Sequence, residues 1–542
     1  MNQKRIFHRF VPFTICLIFL GLSGCGNSET PDRPPNILFL MADDHRADAF
    51  GFMGNEHVLT PHLDKLARQG VAFQNAYHVV PICLPSRTSV MTGQYLGTHG
   101  SGFDRPTHYV LTEEEFRSSY PVLLREAGYF TGFIGKFGFA VKAGEKIPNS
   151  NYQNQMEYMP AAHFDVWNGF PGQGSYRPRK GQFNTYPNRW DATHLTAFMG
   201  LQARDFLRKA KETHQPFCLS VSFKAPHAPF DPAEAFRQKY DEALIPRMQN
   251  DAPAYHERLP EVVREKSRNA RWYFGRTKDY YGNELEYRQD WHIQQDSIYQ
   301  SFIKNYYALI TGIDHTVGRI RHELEKLGMA DNTIIIYTSD NGFFTGSKQL
   351  MGKALLYEES ARAPMILYDP RQPEKEEVVL KPGLISHVDI APTLLDLAGI
   401  AIPESYPGAS FMPLVRGDRG MIHEAVFGEN NYDGNYPLAP ETDDPEEYRS
   451  IRSQFVRTAG FKYIRYHENQ PVVEELYRIN EDPLEAHNLI HDPAYADTVE
   501  AMRARIADFE RKYVKYKNGE PAEATPGEVD EDTKGRRSPS GK

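Results

Sequence analysis

The sequence predicts an α/β fold: a large mixed, mostly parallel sheet sandwiched by helices, with a smaller C-terminal antiparallel sheet plus helix. Three observations carry this. Continuous apolar runs at 36–41 and 333–338 suit strands buried on both faces. Between them helical and extended patterns alternate, as strand–helix–strand units require. After Gly417 the alternation stops, and short extended segments follow one another with turns between them.

At the N-terminus, Lys4, Arg5 and Arg9 precede an apolar stretch at 10–22, short for a transmembrane helix, that reads as an export signal. It ends in Leu22-Ser23-Gly24-Cys25, which resembles a bacterial lipobox. Cleavage before Cys25 and lipidation of its thiol would tether the protein to a membrane by acyl chains. Residues 1–24 are thus expected to be a lipoprotein signal peptide, and 25–35 the lipidated Cys and a polar, Pro-rich tether. With Gly26 rather than Asp after the Cys, the expected location is the bacterial cell envelope, in the outer membrane or periplasm.

A main domain is expected over 36–425. After the first strand, 61–70 reads as a short helix closed by Gly70, 121–127 as a helix, and 129–135 as a strand. The pair recurs as a helix at 206–211 and a strand at 217–223. In 306–327, Ile310, Ile313, Val317, Ile320, Leu324 and Leu327 recur at helical spacing, giving a long amphipathic helix before the strand 333–338. Residues 388–397 are again helical. The stretches 148–190 and 249–295 show no period and are expected to wall a substrate pocket. A smaller α+β subdomain is expected over 426–516, with strands at 451–453, 455–457, 462–466 and 475–477 and a closing helix at 497–513. Residues 517–542 are rich in Glu, Pro, Gly and Ser, and read as a disordered tail.

With 542 residues, 40% of them hydrophobic, the chain can bury a large core. A net charge of −9 argues against nucleic acid as a partner. The same charge means that an anionic substrate would need cations concentrated in its site. Of 4 cysteines, Cys16 leaves with the signal, Cys25 is the lipid site, and Cys218 lies in an apolar strand. No structural disulfide is expected, so stability rests on the core.

The remaining cysteine opens the run Cys83-Leu84-Pro85-Ser86-Arg87, which leads into Thr92-Gly93. By itself this is equally a buried Cys that starts a helix. Other segments add chemistry. Asp43-Asp44 ends the first strand and Asp340-Asn341 follows the strand 333–338. In open α/β sheets that edge binds ligands. Adjacent carboxylates there need a cation to offset their repulsion. An all-oxygen donor set suits Ca²⁺ or Mg²⁺ rather than zinc, although each pair alone would also serve as a helix cap or Asx turn. Lys136, set between Gly135 and Gly138 past an apolar strand, can reach into a cleft. His227 lies between Pro226 and Pro229, and Lys353 opens Gly352-Lys353 ahead of Tyr357-Glu358-Glu359 and Arg362-Ala363-Pro364.

Taken together and in this order, over about 35–417, these motifs resemble the type I (formylglycine-dependent) sulfatases, arylsulfatase-like members of the alkaline phosphatase superfamily. The resemblance implies that a formylglycine-generating enzyme oxidises Cys83 and that the resulting hydrate attacks sulfate esters. It implies that Asp43, Asp44, Asp340 and Asn341 bind one divalent cation, Ca²⁺ with Mg²⁺ as the alternative, which also contacts residue 83. Arg87 would orient the hydrate, Lys136 and Lys353 would bind sulfate oxygens, and His227 would lie beside the leaving-group oxygen, with His227 or Lys353 as proton donor. Ser386-His387-Val388-Asp389-Ile390-Ala391-Pro392-Thr393 extends the similarity and is read as structural. The expected substrate is a sulfated carbohydrate. One departure stands out: many family members carry a His two residues after the Lys136 equivalent, and this chain has Gly138. His78 and His99 are the candidates to replace it. The competing readings are a phosphonate monoester or phosphodiester hydrolase of the same superfamily, and a non-catalytic glycan-binding lipoprotein. The presence of Cys83, Arg87, both lysines and all four oxygen donors argues against the last.

Overall fold

A computed structural model describes residues 33–103, 108–177, 193–267, 291–373, 377–432, 450–517 and 520–521. The signal peptide, Cys25 and most of the tether, parts of both irregular stretches and nearly all of the tail lie outside the described residues.

The main sheet is built from β1 (Asn36–Asp43), β2 (Val71–Tyr77), β3 (Phe130–Lys136), β4 (Val166–Phe170), β5 (Phe217–Pro226), β6 (Thr333–Ser339), β7 (Met365–Tyr368) and β8 (Leu380–Ser386). Their order is β8-β2-β7-β6-β1-β5-β3-β4, and the short strand Arg362–Ala363 pairs with β2, making 9 strands. β1 is parallel to both neighbours, with Ile37 opposite Cys218 and Ile334. β7 runs antiparallel to β6 and β2. The expected mixed, mostly parallel sheet is therefore present.

The continuous apolar runs are explained by two cores. From β1, Leu38, Leu40 and Ala42 enter one hydrophobic cluster, while Ile37, Phe39 and Met41 enter the other. β6 divides in the same way, with Ile335 on one face and Ile334 and Ile336 on the opposite one. The first face is covered by α1 (Pro61–Gln69), α4 (Leu195–Thr213) and α5 (Trp291–Lys326). The other is covered by α2 (Cys83–Thr92), α3 (Tyr120–Glu126) and α6 (Ile390–Leu397). Each fully buried aliphatic side chain contributes about 1.5–3 kcal/mol, and both faces of the sheet are lined with such side chains. Cys83 and Cys218 are both free and buried.

The second sheet is antiparallel, in the order β9 (Ala425–Asn430), β10 (Ser453–Thr458), β11 (Lys462–Tyr466) and β12 (Val473–Tyr477). The helix α7 (Ala496–Tyr513) packs on it through Val499, Met502 and Ile506 against Val456, Tyr463 and Leu476. The opposite face joins Tyr77, Leu355 and Leu356 through Phe455 and Ile464.

Several elements differ from the sequence reading. The two segments expected at 451–453 and 455–457 are one strand, β10. Within the irregular stretch 148–190, Val166–Phe170 forms the edge strand β4, paired only through β3, so half its surface left no apolar period to read. α5 starts at Trp291, well before the expected 306. Among the described residues no helix is long and apolar enough to cross a membrane.

Candidate active site

The central strands β3, β5, β1 and β6 run parallel, so their C-terminal ends share one edge of the sheet. Lys136 ends β3, Asp43 ends β1, and Asp340-Asn341 follows β6. Lys224 sits near the end of β5, with His227 just beyond it. At the turn out of β1, Asp44 adopts φ +69°, a left-handed geometry that aspartate tolerates better than most residues. That turn lets consecutive carboxylates face the same edge. Tyr306 donates to Asp44 O at 2.6 Å and ties the turn to α5.

Cys83 is the first residue of α2 and 4% exposed. Arg87 follows one helical turn later, so both side chains leave the helix on one face. Pro85 falls in the first turn, where a missing N–H costs nothing. Gly93, at φ +65°, stops the helix. The Cys-x-Pro-x-Arg spacing is thus a helix start that aims a sulfur and a guanidinium at one place.

Around Cys83 the charges interlock. Lys353 Nζ lies 2.6 Å from Cys83 Sγ and contacts Asp44 Oδ1. Cys83 Sγ is 3.4 Å from Asp43 Oδ1, and Lys136 Nζ is 2.5 Å from Asp43 Oδ2. Arg87 pairs with Asp340 Oδ2 at 2.7 Å, donates to Lys136 O at 2.9 Å, and contacts Ser222 Oγ. Asn341 Nδ2 donates to Asp44 Oδ1 at 2.6 Å. Ligand atoms of Asp43, Asp44, Cys83 and His227 all lie within 4.8 Å of one another. All nine residues singled out from the sequence therefore meet at one edge.

Burial would raise the Asp43 carboxyl, but Lys136 and the other cations beside it hold it well below the usual carboxylate range. Burial likewise works against charge on Lys353, yet Asp44, then Cys83 and Asp43, hold it well above the ordinary lysine value. The Cys83 thiol is pushed up to about 12, by burial first and then by Asp43. Burial lowers His227 to about 4, against the pull of Asp44 and Asp43. Its ring is therefore neutral. Nδ1–H donates to Ala228 O at 2.6 Å, and Nε2 faces Asp44 Oδ2 at 3.9 Å.

Neither candidate for the missing imidazole joins this cluster. His78 Nδ1 lies 3.2 Å from His387 Nδ1, and His99 Nε2 lies 3.0 Å from Ser89 Oγ. Both are consumed by packing on the α2 side of the sheet. Three further residues enter the site that no motif marks: Gln173, whose Oε1 accepts from Lys136 Nζ at 2.8 Å, Ser222, in contact with Arg87, and the buried Lys224. Lys224 carried a usable signal, a lysine inside an otherwise apolar strand; Gln173, from an aperiodic loop, carried none.

The sulfatase family model matches residues 35–400, and a model described as N-sulphoglucosamine sulphohydrolase, C-terminal, matches 346–512. The chain is 27% identical to an N-acetylglucosamine-6-O-sulfatase of Bacteroides thetaiotaomicron, over 94% of this chain and 91% of that protein. It is 28% identical to an arylsulfatase of Clostridium perfringens, over 90% and 96% of the two chains. A solved structure in complex with its substrate D-glucosamine-2-N,6-O-disulfate superposes with a TM-score of 0.71 at 26% identity, covering 90% of this chain and 100% of that one.

Proposed function

The chain belongs to the sulfatase family of sulfuric ester hydrolases, and from that premise we propose that it cleaves sulfate esters of carbohydrates at the cluster around Cys83. The observation that carries this reading is the convergence on Cys83 Sγ of Lys353 at 2.6 Å and Asp43 at 3.4 Å, with Lys136 beside the same aspartate.

A sulfate ester is an anion, so a nucleophile reaches it only where fixed positive charge offsets the repulsion. Arg87, Lys136 and Lys353 supply that charge, and the α2 N-terminus adds its partial positive end at residue 83. A thiol held near 12 is no nucleophile at neutral pH. Oxidised to formylglycine, position 83 would instead supply a hydrated aldehyde: one hydroxyl attacks sulfur as the ester S–O bond breaks, and the second then gives up its proton and collapses to the aldehyde, expelling sulfate.

The donors fit a hard divalent cation, Ca²⁺ or Mg²⁺. Asp43, Asp44, Asp340 and Asn341 offer only oxygens, and Asn341 Oδ1 is buried with no hydrogen-bond partner among the described residues. Held there, the cation would offset the carboxylates and polarise a sulfate oxygen.

Arg87, locked by Asp340 and by Lys136 O, fixes the orientation at residue 83. Lys136 and Lys353 bind sulfate oxygens. A substrate anion entering beside His227 favours its imidazolium form, and Nε2 then delivers a proton to the departing alcohol as the S–O bond breaks. Lys353, whose Nζ lies 2.6 Å from Cys83 Sγ, is the alternative donor.

The solved neighbour bound to a disulfated glucosamine makes sulfated glucosamines the first substrates to test. Protein produced with a formylglycine-generating enzyme is expected to release sulfate from them, and to turn over an aryl sulfate faster than an aryl phosphodiester. Cys83→Ala should abolish both. Faster diester turnover would move the enzyme to the phosphonate and phosphodiester side of the superfamily. An unmodified Cys83 peptide in active protein, read by mass spectrometry, would defeat the formylglycine mechanism. For location, the support is the basic and apolar leader ending in Leu22-Ser23-Gly24-Cys25. We read Cys25 as the lipid anchor in the cell envelope; fatty-acid labelling that persists in Cys25→Ser would refute it.

A further inference from the structure

We propose that Lys224 and Tyr176 position His227, by fixing the loop carbonyls on which the direction of its imidazole depends. This rests on the sulfatase reading and adds two residues to it. Lys224 is 1% exposed, yet among the described residues its ammonium donates to a carbonyl, Ala228 O at 2.9 Å, rather than to a carboxylate. Buried lysines are rare unless paired with an acid, so a charge spent on a loop carbonyl calls for a reason.

The reason lies in what else that carbonyl does. Ala228 O also accepts His227 Nδ1–H at 2.6 Å. A carbonyl oxygen has two lone pairs and no proton to give. Lys224 and His227 take both, so Nδ1 must carry the ring proton, and Nε2 is the nitrogen turned toward Asp44 and the Cys83 cluster. Tyr176 completes the clamp. Its hydroxyl donates to His227 O at 2.7 Å and lies 3.3 Å from Lys224 O. Its ring centroid is 5.0 Å from Lys224 Nζ, within cation–π range. One tyrosine thus grips the loop at residue 227 and supports the lysine that grips it at 228. Burial, partly opposed by Asp43, lowers Lys224 to about 8, so the ammonium persists at neutral pH and can serve as this tether.

If the clamp serves proton delivery, its loss should be felt most where the leaving group most needs a proton. The test compares a glucosamine 6-sulfate with 4-nitrophenyl sulfate, whose phenolate departs with little help. Lys224→Met is expected to lower kcat on the sugar sulfate by about 10–100-fold, with far less effect on the aryl sulfate and KM unchanged on both. Tyr176→Phe, which keeps the ring, should give the same pattern more weakly. In a His227→Ala background neither substitution should add to the loss, because the clamp acts only through the imidazole. Equal loss on both substrates, a rise in KM alone, or an additive loss without His227 would each overturn the proposal. Should the wild-type enzyme hydrolyse neither sulfate, the sulfatase reading falls first and this inference with it. A wild type active on both, with variants that respond equally to the two leaving groups, sinks the inference alone.

Discussion

Arg87 fills the space beside Gly138. A Cβ at residue 138 would lie 2.6 Å from Arg87 Cδ, and Gly138 adopts φ +92°, a backbone geometry that side chains strain to reach. The guanidinium cannot withdraw, being held by Asp340 at 2.7 Å and by Lys136 O at 2.9 Å. The departure noted in the sequence is therefore built into the site's packing. Gly138→His, which would restore the family's usual residue, is expected to lower kcat on sulfate esters by about 10²-fold, because small displacements of catalytic groups cost that much. Steady-state kinetics decide it; a gain in kcat would show that Arg87 can yield.

The Arg87–Asp340 pair predicts a stability effect. Both groups are buried, and Arg87 Nη2 also lies 3.5 Å from Asp43 Oδ2. Removing the guanidinium strands the Asp340 carboxylate in a low-dielectric site, while Asp43 keeps Lys136. Arg87→Ala should cost about 3–5 kcal/mol in denaturant unfolding. Arg87→Lys should lose less stability but most of the activity, since an ammonium cannot reproduce the planar fork.

Chelation gives a readout that does not depend on turnover. If Asp43, Asp44, Asp340 and Asn341 hold a divalent cation, EDTA-treated protein should unfold at a lower Tm. Ca²⁺ or Mg²⁺ should restore it, by about 2.7 kcal/mol at a hundredfold excess over Kd. Asn341→Leu, which removes the buried Oδ1 that has no hydrogen-bond partner among the described residues, should weaken that response. A Tm indifferent to EDTA and to both ions would remove the cation from the site.

Away from the site, Asp314 sets a pH dependence. Its carboxylate accepts the amides of His62 and Leu63 at the start of α1, and burial raises it from 3.8 to about 7. The folded pKa is above the unfolded one, so the folded state binds more protons between about 4 and 7, and stability falls as pH rises through that window. Asp314→Asn keeps an acceptor oxygen but has no charge to bury. It should exceed the wild type's Tm by on the order of several degrees at pH 8 and by clearly less at pH 5, where much of the penalty has yet to develop. Equal Tm values at both pH values would contradict this.

Much of the site was legible because its signals are local. Cys83 and Arg87 are one helical turn apart, and Asp43-Asp44 and Asp340-Asn341 directly follow strands whose unbroken apolar runs mark them as central. The edge strand Val166–Phe170 and the short reversed strand Met365–Tyr368 were not legible. Each is held by pairing with a distant segment rather than by a period of its own.

By itself, then, the sequence determined the α/β class, the strand ends that carry the acidic pairs, and the identity of nine residues with compatible chemistry. The class and the strand ends follow from hydrophobic periodicity and backbone sterics, which act over a few residues, whereas the set of nine follows from the resemblance of the ordered motifs to the sulfatases. Only the tertiary structure decided that Arg87 excludes a side chain at Gly138, that His78 and His99 lie outside the cluster, and that Lys224 and Tyr176 hold His227. These relations depend on strand register and loop packing between segments far apart in the chain, where contact distance selects the partner and no local pattern encodes it.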